Sequence, residues 1–512
     1  MRVVRFVKRS KRAVINVIVS IVNKIVVMLM PFIVRSVAIY TIGIQYLGVD
    51  SLFGSILTML NLSDLGFSSA VVFSMYKPIA ENDDIKVKAI LTFYKKIYRI
   101  IGIFILIVGL ILVPFLDWLI PNGEKYPSDI NIQLVYIILL INTSLSYLMF
   151  AYKSSILVAT MRNDIESTID MIRSVALNVI RVVILLLFKN YYFYIIILPI
   201  ITIVTNVIRC RIVDNRFPQY IGNEVLKKCD KYEIITRVGA LIGNRIGSVV
   251  FSSVDTIVIS RFLGLTILAQ YTNYYTIFAA VYGIESTVFT AIQSVIGNVM
   301  AEDSVDNYRI FEKLFIINSI ISIFCTCCFV ILYQPFIRIW VGTDNLLHDS
   351  IPLLLAAYFY IRSIGKTCFV FYEAAGLWKA DFLKPYLSVL FNIVSNLMLV
   401  RIIGLPGVII SSILAIIVVE LPWETRVIFK NIFPKKIMKY IVELIKSLVI
   451  CSVLGLVLYF IGMYLPLGVI GIVIRIGVVM VLCTLVFGVL IRYVMSYEFI
   501  TSIIKRFIQW RG

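Results

Sequence analysis

Residues 60–78 read LNLSDLGFSSAVVFSMYKP. The chain around this stretch is apolar over lengths that can cross a bilayer, yet Asp64 stands in the middle of it. Asn61, Asp64 and Ser68 recur three and four residues apart, so on a helix they share one side. A charge at bilayer depth costs at least ~2.5–3.5 kcal/mol and calls for a partner or water. Whether this segment borders a cavity depends on how many further spans the chain supplies.

The chain supplies many. Of its 512 residues, 60% are hydrophobic and 15% charged, far from the make-up of a soluble domain. Turn and charge signals divide it into about fourteen membrane-length spans. These lie near 13–40, 47–74, 98–120, 131–157, 165–188, 191–208, 234–262, 267–300, 311–333, 350–374, 383–401, 405–424, 441–463 and 466–494. The runs are long and continuous, whereas a β-barrel would show short alternating segments. The expected class is an all-α polytopic membrane protein. No connection is long enough for a separate catalytic domain, so the function is expected inside the membrane.

The net charge of +19 is mainly topological. Alternate connections hold nearly all the basic residues, from the Arg2–Arg12 terminus through Lys86–Arg99 and Arg209–Lys231 to Arg426–Lys439 and Arg511. The intervening connections hold only scattered cations such as Lys125, Lys189 and Arg338. The positive-inside rule then sets both termini in the cytoplasm and the protein in the cytoplasmic membrane, with some attraction to anionic membrane lipids and none implied for nucleic acid. The first span is read as retained, because it is too long for a signal peptide and is interrupted by Lys24 and Arg35. Eight cysteines give no framework, and Cys325, Cys327 and Cys328 within one apolar span read as small buried residues rather than metal ligands. No metal site and no cofactor are expected beyond a coupling ion, H+ or Na+.

The chain also repeats. Asn23-Lys24-Ile25 finds Asn244-Arg245-Ile246, Ala80-Glu81-Asn82-Asp83 finds Ala301-Glu302-Asp303, and Ala159–Asp164 parallels Gly376–Asp381. The offset stays near about 220 residues, and the span numbers correspond. Six spans per repeat is an even number, so the halves are parallel. The expected organisation is an N-terminal lobe at 1–220, a C-terminal lobe at 221–435, and two further helices with a tail at 436–512, arranged around a central cavity.

Several charges fall inside spans at helical spacing. Ser20, Lys24, Pro31 and Arg35 return near one face of the first; Arg245, Ser248, Ser252 and Asp255 occupy one arc of the seventh. The eighth carries Tyr271, Tyr275, Phe278, Tyr282 and Glu285, and the tenth Tyr358, Arg362 and Lys366. In the fifth, Asp170 is expected to pair with Arg173, and Asp255 could pair with Arg245. Arg362 and Lys366 stack like charges with no acid between them, which suits an anion: Arg clamps phosphate oxygens and Lys adds a point charge. Tyrosines in a cavity suit stacking on sugars. Gly365-Lys366-Thr367 imitates the end of a phosphate-binding loop, but Tyr360 stands where the first glycine belongs, so no nucleotide site is expected. Uphill transport would then need an ion gradient or consumption of product, with Asp64, Asp255 and Glu285 as candidate carriers.

The run Tyr46-Leu47-Gly48-Val49-Asp50-Ser51-Leu52-Phe53-Gly54, with Leu62–Phe67, Ala70 and Met75-Tyr76-Lys77-Pro78, resembles the second span of bacterial O-antigen and capsule-type polysaccharide flippases. These belong to the multidrug/oligosaccharidyl-lipid/polysaccharide exporter superfamily. Phe93–Arg99 also fits, and the resemblance is strongest over about the first 165 residues. It implies two six-helix lobes plus two helices around a cavity, and a polyprenyl-diphosphate-linked oligosaccharide turned from the cytoplasmic to the outer leaflet, often with ion coupling. Partner proteins of polysaccharide assembly come with it. Lys24, Arg35, Arg245, Arg362, Lys366, Tyr282 and Tyr358 then become candidate diphosphate or sugar contacts. Asp64 matches the family's acidic position, and Asp255 and Glu285 join it as candidate coupling residues. The protein is expected to be a transporter and not an enzyme. The alternatives are a drug or cation antiporter of the same superfamily, which would want net acidic walls, and a glycosyltransferase or polymerase, which would need a sizeable acidic outer loop.

Overall fold

A computed structural model describes residues 26–61, 67–120, 127–300, 307–377, 380 and 382–494. Among these residues the secondary structure is helical and no strand occurs. The helices are α1 (Val26–Thr41), α2 (Ile44–Leu60), α3 (Phe67–Glu81), α4 (Asp84–Leu112), α5 (Ile132–Leu148), α6 (Ser154–Ala159), α7 (Asn163–Phe188), α8 (Tyr191–Arg216) and α9 (Lys228–Leu263). Then come α10 (Leu265–Met300), α11 (Asn307–Val341), α12 (Ser350–Ile364), α13 (Lys366–Ala374), α14 (Lys384–Ile403), α15 (Leu405–Ala415), α16 (Leu421–Asn431), α17 (Ile437–Tyr464) and α18 (Val469–Val494). Among the described residues, every expected span falls on one or two of these helices. Ten helical segments among the described residues are long and apolar enough to cross a membrane, or eleven if the bent pair at 132–159 counts as one span. The protein is therefore a multi-pass helical membrane protein, with the difference from fourteen lying in short, charged or interrupted segments.

The expected second span shows why. It is described as two helices, α2 and α3, and the residues between Asn61 and Phe67, Asp64 included, lie outside the described residues. Lys24 and the N-terminal basic run lie outside them too.

Helix ends follow from local chemistry. The Asp83 carboxylate accepts the Lys86 amide at 2.9 Å and caps α4, and Asn131 caps α5 through the Leu134 amide at 3.0 Å. Lys189, with φ 47°, closes α7, and Asn190 then opens α8 by accepting from Tyr192 and Phe193. The α14–α15 hairpin needs Gly404 at φ 65° for the turn.

The chain forms two compact units, residues 1–269 and 270–512. In the first, α4 packs on α5, α5 on α8, α7 on α8, and α9 on α2 and α3. A Cβ at Gly48 of α2 would lie 2.2 Å from the Leu265 carbonyl oxygen, so only glycine allows that approach. Ile172, Val179, Val183 and Leu186 of α7 are exposed along one side, as a lipid-facing stripe requires. In the second unit α11 packs against α12, α17 and α18, and α12 also packs on α15. An edge-to-face cluster of Phe311, Phe371, Phe429, Phe433 and Tyr440 fills part of its core.

Two spans are interrupted. The α5–α6 pair bends by 46° at its break, and α12 gives way to α13 at Gly365. These are the fourth and tenth spans, which the sequence repeat pairs with one another.

Candidate functional site

The site is built around the break in the second unit. α12 ends at Ile364 and α13 begins at Lys366, so the carbonyls of the last turn lose regular helical partners in an apolar setting. Asn318 of α11, fully buried, supplies them: its Nδ2 donates to the Ser363 and Ile364 carbonyls at 3.0 and 3.2 Å. The Ser322 and Ser363 hydroxyls are hydrogen-bonded to each other.

Lys366, the first residue after the break, is buried, and its Nζ meets Oε2 of Glu285 on α10 at 2.7 Å. The Ser363 hydroxyl donates to the other oxygen of the same carboxylate. Nζ also stands 3.7 Å from the Tyr282 ring centroid and 3.4 Å from the Tyr282 carbonyl oxygen. One turn earlier, the Arg362 guanidinium lies over Tyr282 and Tyr358, 5.4 and 5.9 Å from their centroids, and donates to the Tyr358 hydroxyl at 3.2 Å. The carboxylate of Glu420 acts electrostatically on both Arg362 and Tyr282. Ser388 holds Glu420 by a hydrogen bond of 2.7 Å.

The aromatic series on α10 is a ladder. Tyr271 stacks on Tyr275 at 5.8 Å, Tyr275 on Phe278 at 5.3 Å and Phe278 on Tyr282 at 5.9 Å, with Tyr358 of α12 stacked on Phe278 at 4.9 Å. Glu420 ends a π-helical turn, Ile416–Glu420, between α15 and α16. Pro422 follows it and lacks the N–H that a regular α turn would use, which accounts for the widened turn.

The structure thus brings together Glu285, Tyr282, Tyr358, Arg362 and Lys366, all expected from sequence. It changes what they mean. Arg362 and Lys366 do share a face, but Lys366 has its acid, supplied by a helix some eighty residues away. Of the remaining candidates, Arg35 on α1 donates to the Ala269 carbonyl at 3.5 Å and feels the charge of Asp50. Asp255 is buried on α9; Arg245 is on the same helix, and its side chain is outside the described residues. Lys24 and Asp64 lie outside them altogether. Asp170 is held by Arg209 at 3.1 Å, which also holds Glu166 at 2.9 Å, so its partner comes from α8 and not from Arg173. Asn318, Ser322, Ser363 and Glu420 were not expected, since single polar residues in apolar runs carry no spacing signal. Among the described residues no group of three or more His, Cys, Asp or Glu could hold a metal ion.

No protein-family model and no curated protein matches the chain. Solved structures do. The lipid II flippase MurJ in an inward closed conformation aligns with TM-score 0.67 and 16% identity, over 94% of this chain and 100% of that one. An inward-facing multidrug resistance MATE transporter of the MOP superfamily gives 0.60 at 14% identity, over 80% and 98%. A Vibrio cholerae MATE transporter gives 0.56 at 14%, over 83% and 98%. The chain shares the fold of these three structures, which are named as a flippase and as transporters.

Proposed function

We propose that this protein flips a polyprenyl-diphosphate-linked oligosaccharide from the cytoplasmic to the outer leaflet for cell-surface polysaccharide synthesis, by alternating access and with ion coupling. The lipid tail stays in the bilayer while the headgroup crosses. The observation that carries the reading is the pair of cations a turn apart, Arg362 and Lys366, set beside the Tyr282–Tyr358 ladder at a broken helix. Guanidinium and ammonium suit a diphosphate, and the rings suit sugar faces. The similarity of fold to a structure named as a lipid II flippase, over 94% of this chain, supports a lipid-linked substrate.

The Lys366–Glu285 pair gives the reading a mechanism. A diphosphate that takes Lys366 releases Glu285, whose carboxylate then needs a proton or Na+, with the Ser363 hydroxyl as a second oxygen donor. Loading of substrate and of coupling ion are thereby tied to one exchange. A drug or cation antiporter is the second reading, favoured by one observation: Glu285 and Glu420 stand beside the two cations, so the cluster is balanced in charge rather than net basic.

The deciding experiment uses host cells lacking the gene and a membrane-impermeant probe of lipid-linked oligosaccharides. Intact intermediates accumulating on the cytoplasmic leaflet support flipping. Normal surface glycan without accumulation refutes it and favours the antiporter. In complemented cells, Arg362→Ala removes a charge-assisted contact of about 1.5–3 kcal/mol, so flipping should fall roughly tenfold or more.

A further inference from the structure

A second polar site lies wholly within the first unit. Asp50, Gly54, Leu57, Thr58 and Asn61 of α2 and its end, Leu139, Asn142 and Thr143 of α5, Arg181 of α7 and Leu198 of α8 line a cavity of 280 Å3. Arg181 is seven residues from the end of α7, about 10 Å along the axis, so the cavity lies at membrane depth. Polar groups there need partners. Two have none: Arg181 Nε and Asn61 Oδ1 are buried and unsatisfied.

The lining is prearranged. The Arg181 guanidinium lies over Tyr194, 4.1 Å from its centroid, and Tyr194 stacks on Tyr191 at 5.8 Å. The Tyr191 hydroxyl donates to Asp50 Oδ1 at 2.6 Å, which orients that carboxylate. Thr202 donates to Asn142 Oδ1 at 2.7 Å, leaving the Asn142 amide hydrogens as donors. Guanidinium, amide, carboxylate and hydroxyl groups thus mix donors and acceptors around an apolar floor of Leu57, Leu139 and Leu198. A cation entering would meet Arg181, with Arg35 also acting on Asp50 and Tyr194, and a phosphate would meet the Asp50 carboxylate. A polyhydroxylated ring with no charge satisfies both, and offers its C–H face to the leucines.

We infer that this cavity is a subsite for one uncharged hexopyranose ring. Its volume holds roughly nine waters at ~30 Å3 each, room that a sugar ring can fill by displacing them. Gly54 and Thr58 are the exposed residues of the lining and mark its open side, and a Cβ at Gly54 meets nothing within 4 Å. The inference deepens the transport reading, on which its biological meaning rests, by giving the glycan a resting place apart from the cation cluster.

The test is saturation-transfer NMR on the full-length protein in detergent micelles, with glucose, galactose, mannose, N-acetylglucosamine and N-acetylgalactosamine as probes. At least one sugar should give a signal that Gly54→Leu abolishes, because the Cβ has open space and the larger side chain covers the exposed side of the lining. Gly54→Ala should retain it, and Asn142→Leu should weaken binding about tenfold, as loss of a hydrogen bond predicts. Thr58→Leu is a second blocking variant should Gly54→Leu fold poorly. No signal from any of the five sugars overturns the inference, as does a signal that both blocking variants leave intact. Sodium binding that Asp50→Asn removes, without sugar binding, would make this a cation site and also overturns it. Lys446→Met, at an exposed position of α17 in the other unit, should leave the sugar signal unchanged. Sugar binding that persists while the leaflet assay fails would refute only the transport reading.

Discussion

The buried pair at the helix break can be measured directly. The Lys366 and Glu285 side chains are 7% and 3% exposed, 2.7 Å apart, with Ser363 on the second carboxylate oxygen. Removing one member of a buried pair costs about 3–5 kcal/mol, because the other is left charged and unpaired. The two single variants should not cost the same. In Glu285→Gln the ammonium keeps the Tyr282 ring at 3.7 Å, a contact worth up to about 2 kcal/mol when desolvated, so the net loss should be about 1–3 kcal/mol. In Lys366→Met the carboxylate keeps only Ser363, and the loss should stay near 3–5 kcal/mol. The double variant carries neither charge and should be more stable than the sum predicts by at least about 2 kcal/mol. Unfolding free energies from SDS titration of the purified protein close the cycle. Additivity within about 0.5 kcal/mol would mean that the two side chains do not act as a unit, and the exchange mechanism would fall with it.

Three further outcomes follow from the geometry. Asn318→Leu leaves the Ser363 and Ile364 carbonyls without their donor and should destabilise the second unit by about 1–3 kcal/mol per unsatisfied group, read by the same SDS titration; an unchanged midpoint would show that the break needs no such support. Gly48→Ala drives a Cβ against the Leu265 carbonyl and should cost about 1–3 kcal/mol, with a lowered thermal midpoint as the readout; a neutral result would refute the close approach. Arg209→Met leaves Glu166 and Asp170 side by side without their cation and should cost about 1–3 kcal/mol, since water screens the 45% exposed Asp170, whereas Arg173→Met should be close to neutral; the reverse order would restore the pairing within α7.

What the sequence revealed and what it concealed differ by range of interaction. Hydropathy is local, and among the described residues every expected span falls on helices. Helical spacing is local too, so Tyr271, Tyr275, Phe278 and Tyr282 were expected to form a row, and they stack as one. Partnership between helices is not local. Lys366 and Glu285 were assigned separate roles because nothing in either span records that their faces meet. Asp170 was matched with Arg173 by spacing alone, while Arg209 arrives from α8 between Glu166 and Asp170 and holds both acids at once. Asp50 was noticed only as part of a resemblance; its place beside Arg181 depends on how α2, α5, α7 and α8 pack. Asn318 is one amide in a run of isoleucines, and its role becomes legible only once the break it serves is seen.

The interruption at Gly365 has an electrostatic consequence. Each helix piece carries a macrodipole, equivalent to about half a positive charge at its N-terminus and half a negative charge at its C-terminus. At the break the C-terminal end of α12 and the N-terminal end of α13 meet, and Lys366 occupies the first position of α13. The two ends carry opposite signs one residue apart, so their fields largely cancel and Lys366 sits at the junction without repulsion. The ammonium is therefore held by its partners, Glu285 and the Tyr282 ring, and not by the backbone. When Glu285 leaves, Lys366 is open to the next anion to arrive.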